Sequence, residues 1–243
     1  MILAAGRGER MRPLSDRTPK PLLAVAGQPL IVRHLERLAA AGVREVVINT
    51  AHLGEQFSAL LGDGARWGLR IHYSHEGEQA LETGGGILKA LPLLGDDPFI
   101  AVSGDLWTDY DFARLRIGAG DLAHLVMVRN PDWHTAGDFG LAGDRIVERG
   151  GERLTFANIA VYRPALFADW RAAAAAEPGA ALDPPRFRLL PLYVAAMRRG
   201  RVGGEAFDGR WHNLGTPQQL AALEAALRTS DVRAPLPSGE GLG

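Results

Sequence analysis

Short runs that are apolar almost throughout, EVVIN at residues 45–49 and FIAVS at 99–103, alternate along this chain with stretches whose apolar residues recur at helical spacing. A run with no solvent-facing side belongs inside a parallel sheet that is covered on both faces. Strand, helix and strand in succession then require right-handed crossovers, which build an open, doubly wound sheet. Helices are expected at 30–41, where Leu30, Ile31, Leu35, Leu38 and Ala41 share a face and Gly42 stops the run, and again at 54–61 and 86–94. Further strands are expected at 2–5, 69–73 and 123–129. The second half changes character. Residues 139–141 and 145–147 flank Gly143-Asp144 as a hairpin, and 154–162 follows as a strand, which adds a small antiparallel patch. Helices are expected at 164–175, 189–199 and 217–228, the last with Thr216 as N-cap and Pro217 in its first position. The fold class is therefore α/β, a doubly wound and mostly parallel sheet, in a single domain over 1–228. Residues 229–243 have too little apolar content to pack and are expected to form a disordered tail.

Charge and composition narrow the function. The 27 Lys and Arg nearly cancel the 28 Asp and Glu, leaving no broad positive field for nucleic acid or an anionic membrane. Any phosphate must be gripped locally. The absence of cysteine removes disulfides, thiolate metal sites and cysteine nucleophiles, and fits a cytoplasmic protein. The first apolar run is five residues long, too short for a signal sequence or a span.

The local grip is offered directly after the first strand. The segment LAAGRGERMRPLSDRTPKPL, residues 3–22, joins the backbone freedom of Gly6 and Gly8 to the charges of Arg7, Arg10, Arg12 and Lys20. Glycine lets main-chain N–H groups approach phosphate oxygens, arginine supplies a planar fork, and lysine supplies a point charge. Pro19 and Pro21 hold Lys20 extended. The dinucleotide fingerprint fails, because Met11 stands where its last glycine belongs, and the Walker A lysine is missing. Asp105 follows FIAVS and Gly104 at the C-terminal end of a strand, where open α/β sheets bind ligands, and one or two hard oxygen donors suffice for Mg²⁺ beside phosphates. Leu81-Glu82-Thr83-Gly84-Gly85-Gly86 is costly in chain entropy unless something approaches the main chain closely, and a flat base is a candidate.

The 3–22 segment resembles the signature of the sugar-1-phosphate nucleotidylyltransferase family, with Leu3, Gly6, Gly8, Arg10, Pro13, Leu14, Ser15, Pro19, Lys20, Pro21 and Leu22 in matching positions. The resemblance implies a Rossmann-like nucleotidyltransferase fold that takes a nucleoside triphosphate and a sugar-1-phosphate. It implies that Leu3, Ala4, Ala5, Gly6 and Gly8 contact the nucleotide, Arg10 its β and γ phosphates, and Lys20 the α phosphate. Asp105 would be the metal ligand, and Asn213, in Trp211-His212-Asn213-Leu214-Gly215-Thr216, stands where the family generally has a second, aspartate ligand. Gly84 and the upstream Glu76 would frame the base; Ser103, Asp138 and Asn158 match positions that hold sugar hydroxyls or amides. The family usually has a few residues before its first strand, whereas this sequence begins at Met1, so a shortened strand is expected. GDLWTDYDF at 104–112 together with LETGGG is similar to the uridylyltransferases that act on N-acetylmuramate α-1-phosphate in bacterial cell-wall recycling, which favours UTP. Mannose-1-phosphate guanylyltransferases and a non-catalytic nucleotide-sugar sensor are the alternatives, and a homo-oligomer stays open.

Overall fold

The computed structural model describes residues 1–233, so residues 234–243 of the expected tail lie outside the described part. In chain order the elements are β1 (Ile2–Leu3), β2 (Ala24–Val25), β3 (Gln28–Pro29), α1 (Leu30–Ala40), β4 (Glu45–Thr50), α2 (Glu55–Leu61), β5 (Arg70–His75), α3 (Glu82–Leu94), β6 (Phe99–Ser103) and β7 (Leu106–Thr108). There follow β8 (Ala123–Val128), β9 (Phe139–Ala142), β10 (Arg145–Val147), β11 (Glu152–Tyr162), α4 (Trp170–Ala173), α5 (Leu190–Arg198), β12 (Val202–Ala206), β13 (Trp211–Asn213) and α6 (Pro217–Arg233).

Nine of these strands form one sheet in the order β5-β4-β1-β6-β11-β8-β12-β10-β9. The first four run parallel, as the apolar runs require. The long β11 then inserts antiparallel between β6 and β8, so the antiparallel patch is continuous with the parallel half. Although β1 has only two residues, Ile2 and Leu3 pair on both sides, with Ile48 and Asn49 in β4 and with Val102 and Ser103 in β6. Alternate side chains of the strands feed two cores. On one face Ile2, Ile48 and Val102 meet Ile31 and Leu35 of α1 and Phe57 of α2. On the other, Val47, Ala101 and Leu125 meet Ile87 of α3 and Leu192 and Ala196 of α5. Helices on both faces make the sheet doubly wound.

Three helices depart from expectation. The 164–175 stretch breaks into a 3₁₀ turn, Pro164–Phe167, and the four-residue α4. Its alanines offer little area to hold one long helix. Its large side chains, Leu166, Phe167 and Trp170, are each buried, with Asp169 between them in a non-helical conformation. Tertiary burial overrides local propensity here. Helix α3 begins at Glu82 rather than at 86, taking the three glycines into its first turn. α6 starts with a reciprocal cap: Gln219 N–H donates to Thr216 Oγ1 at 3.3 Å, while Gln219 Oε1 accepts from the N–H groups of Gly215 and Thr216. It continues five residues past 228, so 229–233, expected to belong to the disordered tail, are helical instead. No described helix is long and apolar enough to cross a membrane.

Candidate functional site

The chain leaves the sheet after Leu3 and folds residues 9–22 into three single 3₁₀ turns, because the prolines forbid a regular helix. The loop is pinned from several sides. Ser15 Oγ donates to the Gly8 carbonyl at 2.8 Å, Gln56 Nε2 of α2 donates to the Arg17 carbonyl at 2.9 Å, and Met11 is wholly buried against Leu214 and Leu223. Two glycines bring the loop close to the sheet. Gly8 has φ +65°, and a Cβ on it would lie 3.2 Å from Lys20 Cβ; one on Gly104 would lie 3.1 Å from Pro21. The result is that Lys20, 8 % exposed, donates from Nζ to Asp105 Oδ2 at 2.5 Å.

Around that ion pair opens a cleft of about 390 Å³. It is lined by Leu3, Ala4, Ala5, Gly6, Gly8 and Lys20 of the loop and by Glu76, Ser103, Asp105 and Asn158 across from it. It lies where the parallel strands end, the expected place for a ligand of an open α/β sheet. One residue that the sequence reading did not single out organises the floor. Asn49 Oδ1 accepts from the Ala4 N–H at 2.8 Å, its Nδ2 donates to Glu76 Oε1 at 2.6 Å, and Glu76 Oε2 accepts from the Leu81 N–H at 2.7 Å. Burial pushes the Glu76 carboxyl up, while the bonds from Leu81 and Asn49 pull against it. Both Glu76 oxygens are thus committed to joining the loop to the start of α3. A polar residue closing the otherwise apolar EVVIN was the available signal.

A second chamber of about 490 Å³ adjoins the first and shares Glu82, Thr83 and Asn158 with it. Asp138 and Asn213 line this chamber, with Trp133, Phe156, Arg188 and Trp211. Asp138 is fixed by the Phe156 N–H on Oδ2 at 2.8 Å and by His134 Nε2, 3.0 Å from Oδ1. Trp133, 55 % exposed, stacks on Trp211 with centroids 6.4 Å apart. The register of β11 slips between Phe156 and Ala160, and within that bulge Asn158 takes φ +55° and faces both chambers. Glu82 takes φ +60° at the first turn of α3. A left-handed backbone costs a residue with a Cβ about 1–2 kcal/mol, so the molecule carries strain at the junction of the chambers.

Besides Asp138, three expected site residues sit elsewhere than in the first cleft. Gly84 is buried behind Thr83 and does not line the cleft: a Cβ there would lie 2.5 Å from the Phe187 ring, and the N–H groups of Gly84 and Gly85 both donate to the Phe187 carbonyl. What approaches the glycine run is the protein's own chain, with Phe187 at Gly84, Pro185 at Gly85 and Glu76 at Gly86. Arg10 is exposed, and its guanidinium lies beside Gly215, whose Cβ would be 3.2 Å from Arg10 Nη2. Asn213 pairs with Leu106 across β7 and β13, and the next N–H, of Leu214, donates to the Asp105 carbonyl at 3.2 Å. Asp105 and Asn213 are thus brought onto adjoining backbone, with side chains in adjoining chambers. No group of three His, Cys, Asp or Glu gathers among the described residues. One carboxylate and one amide oxygen, both hard donors, fit a divalent cation that takes its other ligands from phosphate and water.

Residues 1–152 match the family profile described as nucleotidyl transferase. The chain is 47% identical over 233 residues to the N-acetylmuramate alpha-1-phosphate uridylyltransferase of Neisseria meningitidis serogroup B, an alignment that covers 93% of this chain and 96% of that one. It is 37% identical over 243 residues to the protein of the same description from Caulobacter vibrioides, with the same coverage. A Bacillus anthracis protein crystallised with sucrose, and provisionally described as a glucose-1-phosphate thymidylyltransferase, superposes with a TM-score of 0.78 at 19% identity over 98% of this chain and 96% of its own. That last likeness speaks to the fold.

Proposed function

The chain belongs to the nucleotidyl transferase family, and we propose that it joins UTP to N-acetylmuramate α-1-phosphate, forming UDP-N-acetylmuramate and releasing pyrophosphate. The observation that carries the reading is the Lys20–Asp105 pair at the end of a glycine loop, since a cation and a hard oxygen ligand side by side are what a phosphoryl transfer needs. The base and sugar follow the two relatives that align with nearly the whole chain.

In this reading the triphosphate lies along residues 3–8, with main-chain N–H groups and Lys20 on its oxygens and Arg10 closing the far end. The sugar occupies the chamber lined by Asp138, Asn158 and the stacked tryptophans, with Ser103 at the boundary. A phosphate oxygen of the sugar attacks the α phosphorus in line, the bond to the β-phosphate oxygen breaks, and pyrophosphate leaves with that electron pair. The attacking phosphate is already anionic, so no side chain has to act as base. The chain's task is positioning and charge neutralisation. Asp105 and Asn213 would hold Mg²⁺, which when bound supplies Lewis-acid polarisation of the phosphates. The test is pyrophosphate release from the four common nucleoside triphosphates crossed with several sugar-1-phosphates, with and without EDTA. Release with UTP and N-acetylmuramate α-1-phosphate, abolished by EDTA and restored by Mg²⁺, is expected. A preference for another pair refutes the substrate assignment.

A further inference from the structure

We infer that Glu82 is a specificity-determining residue whose carboxylate accepts hydrogen bonds from the sugar of the incoming sugar phosphate. This rests on the reading of the cleft as a sugar-1-phosphate site, and it gives a side-chain role to a residue of the LETGGG segment that the resemblance left without one. Three independent observations converge on Glu82. It lines both chambers, so it stands where the nucleotide part of the cleft passes into the sugar part. Its backbone is left-handed, φ +60°, a conformation that glycine holds freely, and three glycines follow within four positions. Its side chain is exposed and makes no hydrogen bond or ion pair among the described residues. Arg188, which lies within electrostatic reach, is already held on Nε and Nη2 by Glu177 at 3.0 and 2.8 Å.

Apart from the electrostatic pull of Arg188, this strained carboxylate has no bond within the protein to hold it. An acid in the first turn of a helix gains from the helix dipole, but any acid reached by an ordinary backbone in that turn would gain as much, so the dipole does not account for the conformation at 82. What the conformation does is present a pure acceptor at the chamber junction. A carboxylate repels phosphate, so in a cleft for polyanions it is tolerated only beside neutral donors. The donors on a sugar phosphate are its hydroxyls and, on an N-acetyl sugar, the amide N–H. Asn158, also left-handed and also lining both chambers, offers both a donor and an acceptor nearby. Between them Glu82 and Asn158 would fix how the ring is turned, and Glu82 would reject a ring that brings its phosphate to the wrong side.

The experiment uses the full chain with Glu82→Gly and Glu82→Gln, measuring initial rates, calorimetric binding and melting temperature. Glu82→Gly should raise KM for the sugar phosphate by about tenfold or more, the loss of one charge-assisted bond, while leaving KM for UTP within about twofold. Its melting temperature should not fall, since the strain is relieved. Glu82→Gln, whose amide oxygen still accepts, should lie between. An unchanged sugar KM, or a UTP KM that rises in parallel, overturns the inference, and a lower melting temperature without a KM split would mark Glu82 as structural. If the native chain turns over a different sugar phosphate, the substrate assignment fails and the Glu82 test is decided on that sugar. If calorimetry shows that the native chain binds no sugar phosphate, both fail.

Discussion

Replacing Gly86 by alanine should destabilise this protein, although the same change inside most helices does the reverse. Alanine in place of a helical glycine ordinarily gains about 0.5–1 kcal/mol through backbone entropy and propensity. At position 86 the added Cβ would sit 2.3 Å from Glu76 Oε1 and 3.0 Å from Asn49 Nδ2. The Glu76 carboxylate cannot swing aside without loss, since its other oxygen is held by the Leu81 N–H at 2.7 Å and the residue is buried. The bond that must give is the 2.6 Å contact from Asn49, a charge-assisted hydrogen bond worth about 1.5–3 kcal/mol. The loss exceeds the gain by about 0.5–2.5 kcal/mol, or roughly 1–10 °C in Tm at 2–4 °C per kcal/mol for a chain of this size. Thermal and urea unfolding of Gly86→Ala beside Gly120→Ala would measure it, because a Cβ on Gly120 meets nothing within 4 Å and that variant should be neutral or slightly stabilised. As Asn49 also holds the Ala4 N–H, KM for the nucleotide should rise in the Gly86 variant alone. A Gly86→Ala protein as stable as the native one would refute the argument that Glu76 is immobilised.

Lys20→Ala should lower kcat by about 10²–10³ at saturating substrates and metal, and a fall of less than about tenfold would remove Lys20 from the transition state. The same variant frees Asp105, so added Mg²⁺ should raise its Tm more than it raises that of the native protein; equal shifts would separate Asp105 from the metal. His34 lies on the buried face of α1 with its Nε2 3.0 Å from the Leu106 carbonyl, and burial pushes its pKa down to about 4. Its neutral form is the one the fold accepts. Its contribution is therefore complete above pH 6.5 and is lost as pH falls from 6.5 to about 4, on the order of 3 kcal/mol. His34→Gln, which does not titrate, should flatten that limb of the stability–pH curve, and an unchanged limb would show that other groups cause it.

The parallel half of the fold was legible because EVVIN and FIAVS have no solvent face, and the irregular, proline-broken loop after β1 because Gly6, Gly8, Pro19, Lys20 and Pro21 act through local backbone geometry. What escaped depends on partners distant in sequence. β12 reads as a poor strand because of Gly203 and Gly204, yet a Cβ on Gly203 would lie 2.9 Å from Asp121 and His124, and one on Gly204 would lie 2.3 Å from Ile146. Its glycines answer to neighbours that no local pattern reveals. The glycines of LETGGG signal a close approach to the main chain, but not that Phe187, 103 positions away from Gly84, makes one. The second chamber was visible only through Asp138, Asn158 and Asn213, since its aromatic wall joins Trp133 to Trp211 by tertiary stacking.

Met11, at the bend of the loop that follows β1, rests on Leu214 and Leu223, and Arg10 lies beside Gly215. The front of the chain is thus propped from its rear, well beyond the stretch that matches the family profile. A chimera that took residues 1–152 from this protein and the remainder from a relative would keep its sheet but rest its loop on foreign supports. Such hybrids would fold before they worked, and the mismatch would register first as slackened nucleotide affinity, repairable by exchanging Met11, Leu214 and Leu223 as one set.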